Sequence, residues 1–459
     1  MQFNFKEKSA FNRMEVAQVT LNPNGPGAVR LHLVPPKKTI FKRPQNALIF
    51  VNGNDILPLS QGHTVLMYNF FDEINKYDGQ EISDEELEAI VKRTVATTRK
   101  VYYRTSEETM IDDLQNLIED FCRLAYGQPL ESEFPFMSLS EYHTHMTAPH
   151  RMDLMVSAMT TPDGCWKCNN KCLHCYAADQ LHSTEKELST EEWKKVIDVC
   201  RKAGIVQLTF TGGEPTLRKD LFELIKYARF FVSRVNTNGL LLTKEYCEKL
   251  FEAELDSLQV TFYSHDADVH NRLVGNSHGF EKTLAGIKNA INAGLSVSIN
   301  TPLCTLNADY IETLKLLKSL GITYVSCSSL ITTGNALKED SEKTQLSPEE
   351  LEKILKEATV FCEENKMELA FTSPGWLPKE TITGLNLKVP TCGACLSNMA
   401  VTPSGEVVPC QSWLNEASLG NILTDDWHRI WNGMTCTTIR YNSAEMEGIC
   451  PLRKKDEVC

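Results

Sequence analysis

Long apolar runs are missing from this chain. No stretch approaches the ~18 uninterrupted apolar residues of a membrane-crossing helix, so no membrane partner is expected. Met1-Gln-Phe-Asn-Phe-Lys6 lacks the basic and apolar regions of a secretory signal. Basic charge is also short. With 47 Lys and Arg against 60 Asp and Glu, the formal net charge is −13. That balance argues against broad nucleic-acid or anionic-membrane binding, which needs a basic face. Cysteine, by contrast, is plentiful, with sixteen in 459 residues. In a small secreted chain these would read as disulfides. In a long chain with no signal they read as metal ligands. They also cluster, four between positions 165 and 175 and six between 392 and 459. The remaining six, Cys122, Cys200, Cys247, Cys304, Cys327 and Cys362, fall mostly in predicted helices or strands and read as small buried hydrophobes.

The first cluster is Cys165-Trp-Lys-Cys168-Asn-Asn-Lys-Cys172-Leu-His-Cys175-Tyr176. Cys168-x3-Cys172-x2-Cys175 can hold three irons of a [4Fe–4S] cluster and leave the fourth without a protein ligand. An open iron can bind a small molecule and do redox chemistry on it. Structural zinc is the competing reading, but zinc favours paired CxxC units and the x3 gap is not its usual spacing. Cys165 lies outside the triad and is left out of the ligand set. Farther on, Thr211-Gly212-Gly213-Glu214-Pro215 closes a predicted strand. The CxxxCxxC run, the aromatic Tyr176 behind it and the GGEP turn together resemble the radical S-adenosylmethionine (SAM) superfamily. The resemblance implies a [4Fe–4S] cluster on Cys168, Cys172 and Cys175. Its open iron would hold SAM, and one-electron cleavage would yield a 5′-deoxyadenosyl radical. Gly212 and Gly213 would let the backbone approach SAM, Glu214 would accept from its amino group, and Pro215 would fix the turn. Asn238, Ser264 and Asn300, at later strand ends, would reach its ribose and carboxylate, or simply make ordinary strand-end hydrogen bonds.

From 150 to 367 strands alternate with helices in six units, which implies parallel strands with right-handed crossovers. A closed eight-unit barrel takes ~250 residues. The expected fold is therefore α/β, a partial (β/α)6 barrel over 151–370. Both motifs fall at C-terminal strand ends, where active sites on such sheets lie. Upstream, residues 1–35 are weakly patterned. Over 36–127 come a strand Ala47–Val51, a turn at Asn52-Gly53-Asn54-Asp55, a strand Ile56–Leu59 and three helices, the second capped at Ser83 and the third running from Ser106 to Ala125. This winged-helix-like α+β module resembles the PqqD-like recognition element that grips the leader of a ribosomally made peptide by strand addition. Ala47–Val51 and the third helix are expected to form the groove. A DNA-binding winged helix is disfavoured by the acidic second helix, and a dimerisation cap is the other reading. Residues 128–150 read as a linker.

The second cluster opens Cys392-x2-Cys395-x9-Gly405-x4-Cys410, with Gly405 in a hairpin turn. Cys-x9-Gly-x4-Cys resembles the start of the SPASM extension, which carries auxiliary iron–sulfur clusters, so 371–459 is expected to be a small cysteine-rich iron–sulfur domain. The family's later CxxCx5Cx3C run is absent; Cys436, Cys450 and Cys459 remain. One complete auxiliary cluster is expected on Cys392, Cys395, Cys410 and Cys450. Cys459 would replace Cys450 or begin a second cluster, Cys436 would be core, and zinc on the first CxxC is the alternative.

This order resembles the radical SAM/SPASM maturases of ribosomal peptides. It implies an oxidoreductase that joins a cysteine sulfur to carbon in a precursor peptide bound by its leader. Electrons would come from a flavodoxin or ferredoxin, and the setting would be a reducing cytoplasm. The alternatives are carbon–carbon or carbon–oxygen cross-linking, epimerisation with Cys165, Cys304 or Cys327 as hydrogen donor, formylglycine-type sulfatase maturation, and a non-enzymatic peptide-binding scaffold stabilised by metal.

Overall fold

The structure is a computed structural model, and it describes residues 5–21, 28–36, 46–77, 80–134, 139–338, 343–445 and 449–453. The chain separates into two compact units, residues 1–150 with 201–206, and residues 151–200 with 207–459.

In the first unit, helix α1 (Phe5–Arg13) precedes a four-stranded antiparallel sheet in the order β1 (Ala17–Leu21), β2 (Val29–Val34), β3 (Ala47–Val51), β4 (Asp55–Leu59). Asn52 and Gly53 take φ of 49° and 73°, the left-handed pair that a tight hairpin between right-twisted strands requires. Three helices follow: α2 (Gln61–Ile74), α3 (Asp84–Arg99) and α4 (Glu107–Ala125). Ser83 and Glu86 close a reciprocal capping box at the start of α3. Met110, Leu114, Leu117 and Phe121 of α4 recur at helical spacing and are buried with Leu31, Ile49 and Phe71.

Three expectations need correction here. The weakly patterned N-terminal stretch contributes a helix and two strands. Ala47–Val51 lies inside the sheet, paired on both sides with β2 and β4, so no leader strand can add to it. Within 128–150, Tyr142, Met146 and Ala148 are buried, and the Tyr142 hydroxyl meets the His150 ring.

In the second unit nine strands form one sheet in the order β11-β10-β9-β8-β7-β6-β5-β12-β13. The strands β5 (Arg151–Ser157), β6 (Gln207–Gly212), β7 (Val232–Thr237), β8 (Ser257–Thr261), β9 (Val297–Pro302) and β10 (Tyr324–Ser328) are the six expected ones, mutually parallel and alternating with helices. A seventh parallel strand, β11 (Glu368–Phe371), extends one side. On the other side β12 (Asn398–Val401) pairs parallel with β5 and antiparallel with β13 (Val407–Val408). The cysteine-rich C-terminal segment thus completes the sheet of the barrel. The hairpin between β12 and β13 turns at Gly405 (φ 93°), as its sequence predicts.

The strands alternate two ways. Leu154, Phe210, Val235, Leu258, Ile299 and Val325 are fully buried on the helix side. The opposite face carries Thr209, Arg234, Asn236, Gln259, Asn300 and Ser326, which line a cavity of about 600 Å³. A closed barrel fills its interior with branched apolar side chains; this one keeps a polar lumen.

Candidate active site

The cavity runs through the second unit, and both sets of cysteines reach it. Cys168, Cys172 and Cys175 line it, and so do Cys392, Cys410 and Cys450.

The first set sits on the loop after β5, which two clamps hold. One is the helix Ala267–Val274 with the turn behind it: Lys171 N donates to Val274 O (2.9 Å), Leu173 N to Leu273 O (2.9 Å), and the Asn276 amide to Asn170 Oδ1 (3.0 Å). The other is the turn at 333–335, where Asn335 N donates to Cys175 O (2.9 Å) and its amide to Cys172 O (3.1 Å). Both clamps use glycine for close approach. A Cβ on Gly275 would lie 2.3 Å from Lys171 O, and one on Gly334 2.6 Å from Cys175 O. Sequence reasoning missed this helix and both clamps. Asp266 capping its first turn and Gly275 ending it in the left-handed region were the available signals.

Burial pushes the Cys168 thiol up to about 12 and Cys175 up to about 11, and raises Cys172 well above the ordinary range. The neighbouring thiols of the set add to the shift at Cys168 and Cys172. Without a metal these are neutral thiols; as thiolates they need adjacent positive charge.

The GGEP turn meets the end of β5. Cβ atoms on Gly212 (φ 133°) and Gly213 would lie 2.3 Å from Ser157 O and 2.6 Å from Ala158 O. Packing of one strand end against another is therefore reason enough for these two glycines. Glu214 is buried, and its carboxylate receives Thr216 N (3.0 Å), Thr216 Oγ1 (2.5 Å), Thr237 Oγ1 (2.6 Å) and Asn238 N (2.8 Å). Three of these bonds fall on Oε1 and one on Oε2, so Oε2 keeps an acceptor site, and Glu214 lines the cavity. Pro215 opens a short 3₁₀ turn. Asn238 lines the cavity beside Cys168 and donates to Asn169 Oδ1 (2.6 Å). Asn300 lines it too and accepts from Ser326 Oγ (2.9 Å). Ser264 does not line it: fully buried, its hydroxyl accepts from Asp266 N (3.1 Å) at the start of the helix Ala267–Val274. Tyr176 lines the cavity, feeling both Cys175 and Cys410, and burial raises its phenol. Cys165 is exposed and outside the cavity.

The C-terminal set divides differently from the expectation. Cys392, Cys410 and Cys450 influence one another electrostatically and share the cavity wall. Cys395 does not share it. Held at φ 54°, it is buried against Cys436 of the helix Met434–Glu445, and the two thiols hydrogen-bond. Arg440, 3.8 Å over the Trp431 ring, donates to Cys436 Sγ (3.6 Å). Cys395, expected in the ligand set, is not among the lining residues, although its thiol also feels Cys410; Cys436 is buried as expected but paired. Cys459 lies outside the described residues.

Among the described residues no three His, Cys, Asp or Glu side chains stand close enough to hold one metal ion.

A parallel barrel open to a polar cavity, with a three-cysteine loop at its C-terminal strand ends, defines an iron–sulfur enzyme that handles a small-molecule cofactor. Comparison with known proteins agrees. Residues 167–317 match the family described as the radical SAM superfamily, and residues 392–454 the iron–sulfur cluster-binding SPASM domain. An AdoMet-dependent heme synthase of Methanosarcina barkeri is 31% identical over 309 residues, 64% of this chain and 87% of that protein. A PqqA peptide cyclase of Granulibacter bethesdensis is 25% identical, over 58% of this chain and 71% of its own length. Streptococcus suis SuiB, solved with its precursor peptide SuiA, superposes with a TM-score of 0.57 at 14% identity, over 86% of this chain and 87% of that one. The chain belongs to the radical SAM superfamily and is an enzyme of it. Its two matched domains imply a [4Fe–4S] cluster, auxiliary iron–sulfur centres and SAM.

Proposed function

We propose that the protein is a maturase of a ribosomally made peptide and that it joins a cysteine sulfur to a carbon of that peptide. The observation that carries the reading is the shared cavity: two separate three-cysteine sets open onto one polar space, and Tyr176 in its wall feels a thiol of each. Thioether formation removes two hydrogens from the substrate, one as an atom and one as a proton, and leaves an electron to be taken up. A second redox centre beside the first suits that need. When bound, the SAM–cluster pair supplies the hydrogen-abstracting radical. Cys168, Cys172 and Cys175 would hold the first cluster; Cys392, Cys410 and Cys450 would hold the auxiliary one.

The chain's own residues do the positioning. Asn335, Asn276 and the backbone at 273–274 fix the cysteine loop. Glu214 ties the GGEP turn to Thr237 and Asn238, so both strand ends move as one. Of the three thiols considered as hydrogen donors for epimerisation, Cys165 is exposed and Cys304 and Cys327 are buried away from the cavity, which weighs against that reaction.

The first unit would receive the leader, as in PqqD-like elements. The second unit holds about two thirds of the chain, so a match to SuiB spanning 86% extends into the first. A leader would then add to an edge, β4 or β1, rather than to β3. The identity with the heme synthase, over most of that protein, supports a second reading in which a tetrapyrrole is the substrate.

The test is coexpression with short cysteine-containing peptides encoded nearby, read by mass spectrometry. A loss of two hydrogens per bond, with the cysteine made unreactive to alkylation, is the expected result. An unchanged mass or conversion to formylglycine would discard the thioether assignment.

A further inference from the structure

We propose that Arg234 and Arg151 form a carboxylate-binding floor to the cavity and anchor an acidic group of the substrate. Both guanidinium groups line the cavity. Arg151 is engaged: its Nε lies 2.8 Å and its Nη2 3.3 Å from the two oxygens of Asp153, a buried acid one residue pair up the same strand. Arg234 is not so engaged. Among the described residues its side chain donates from Nε to the neutral hydroxyl of Ser257 (3.2 Å), and it feels Asp153 and Tyr324 only through space. At this level of the cavity two cations face one anion, with Glu214 the other lining acid, up at the strand ends; Arg151 is partly open to solvent and Arg234 half-buried. Burial lowers the Arg234 guanidinium, with Arg151 beside it adding to the shift.

The neighbours are those of a site rather than a plug. Asp153, Thr209, Arg234 and Ser257 stand at one register level across β5 to β8. One step higher, Asn236 lines the cavity with a buried Oδ1 that no group among the described residues meets. Tyr324 completes the wall. The forked donors of arginine match a carboxylate in two parallel bonds.

Arg234 lies three residues below Thr237, roughly 10 Å from the strand end at ~3.3 Å per residue. An extended peptide rises by a similar step, so an acidic group held here places a residue two or three positions away at the level of the cysteine loop. The carboxylate is either the peptide's C-terminus or an Asp or Glu side chain. The inference rests on the peptide reading only for the carboxylate's owner.

The test uses the cluster-loaded protein without reductant, titrated calorimetrically with N-acetyl-alanine (terminal carboxylate), N-acetyl-glutamic acid α-amide (side-chain carboxylate) and neutral N-acetyl-alaninamide. One of the two acids should bind at least tenfold more tightly than the amide, and the tighter one names the source. Arg234→Gln should remove the preference and Arg234→Lys restore part of it, with SAM present or absent. Equal binding of acids and amide, or unchanged acid binding in Arg234→Gln, would overturn the proposal. So would displacement of the acid by SAM, which would give the arginines to the cofactor. Should Arg234→Gln not fold, wild-type crystals soaked in the tighter acid decide: density on Arg234 supports the floor, density elsewhere rejects it. No peptide is modified in these assays, so the floor can stand where the maturase reading falls.

Discussion

Gly334 has a more exacting task than any cysteine it supports. At φ 59° its Cα passes the carbonyls of Cys175 and Tyr176, where a Cβ would lie 2.6 and 2.5 Å away. Gly334→Ala should displace the cysteine loop and at least halve the iron bound after reconstitution, while far-ultraviolet circular dichroism stays as in wild type. His182 governs a pH dependence. Its ring contacts Glu185 (2.9 Å) and Glu416 O (2.9 Å), and the Glu185 hydrogen bond raises it above 6.5. Burial opposes the Glu185 charge, but hydrogen bonds from His182, Ser404 and Thr402 hold that carboxyl below its usual range. The His182 contribution is complete below pH 6.5 and fades as pH rises through its raised pKa; the Glu185 contribution fades as pH falls through its lowered one. Melting temperature should therefore fall on the alkaline side of 6.5, and His182→Gln should flatten that fall. A slope unchanged in the variant would assign it elsewhere. Residue-level features of the site were legible where chemistry demands a residue type at a fixed spacing, as in Cys168, Cys172, Cys175 and Gly405. Ser264 misled because a strand-end hydroxyl looks the same in sequence whether it faces a ligand or starts the next helix. The pairing of Cys395 with Cys436 was not legible, because CxxC spacing does not say which way each thiol turns.

Elements were read best where periodicity and caps agreed. The helix α3 begins at the capping box seen in Ser83-Asp-Glu-Glu86, and Ser83→Ala should destabilise the first unit by about 1 kcal/mol; chemical denaturation of the full chain measures it. The six parallel strands matched to within a few residues because apolar runs alternated with amphipathic helices. Lost were β1 and β2, short and set among polar turns, and β11; the β12–β13 hairpin was legible at Gly405, but not its pairing with β5, a strand begun far earlier in the chain. Which strand is an edge is a tertiary fact. Ala47–Val51 is all apolar, as a fully buried interior strand reads. The edge β4 carries Pro58, a residue tolerated at edges because it lacks a donor.

For the molecule as a whole, the division of the C-terminal cysteines decides how many redox centres meet the substrate. Cys410→Ala should lose the auxiliary iron and its electron paramagnetic resonance signal while the first cluster remains. Cys395→Ala should keep both, at some loss of stability from the cavity it leaves beside Cys436 and Arg440. Equal iron loss in the two variants would restore Cys395 as a ligand. The account's central claim is that the radical formed in this cavity takes hydrogen from a peptide carbon. The most direct measurement supplies the reduced holoenzyme with SAM and a precursor peptide deuterated at carbon, then weighs the 5′-deoxyadenosine formed. The account predicts one deuterium transferred per cross-link, with none in Cys172→Ala because no 5′-deoxyadenosine forms. 5′-Deoxyadenosine that carries no deuterium while the peptide is being cross-linked would contradict it.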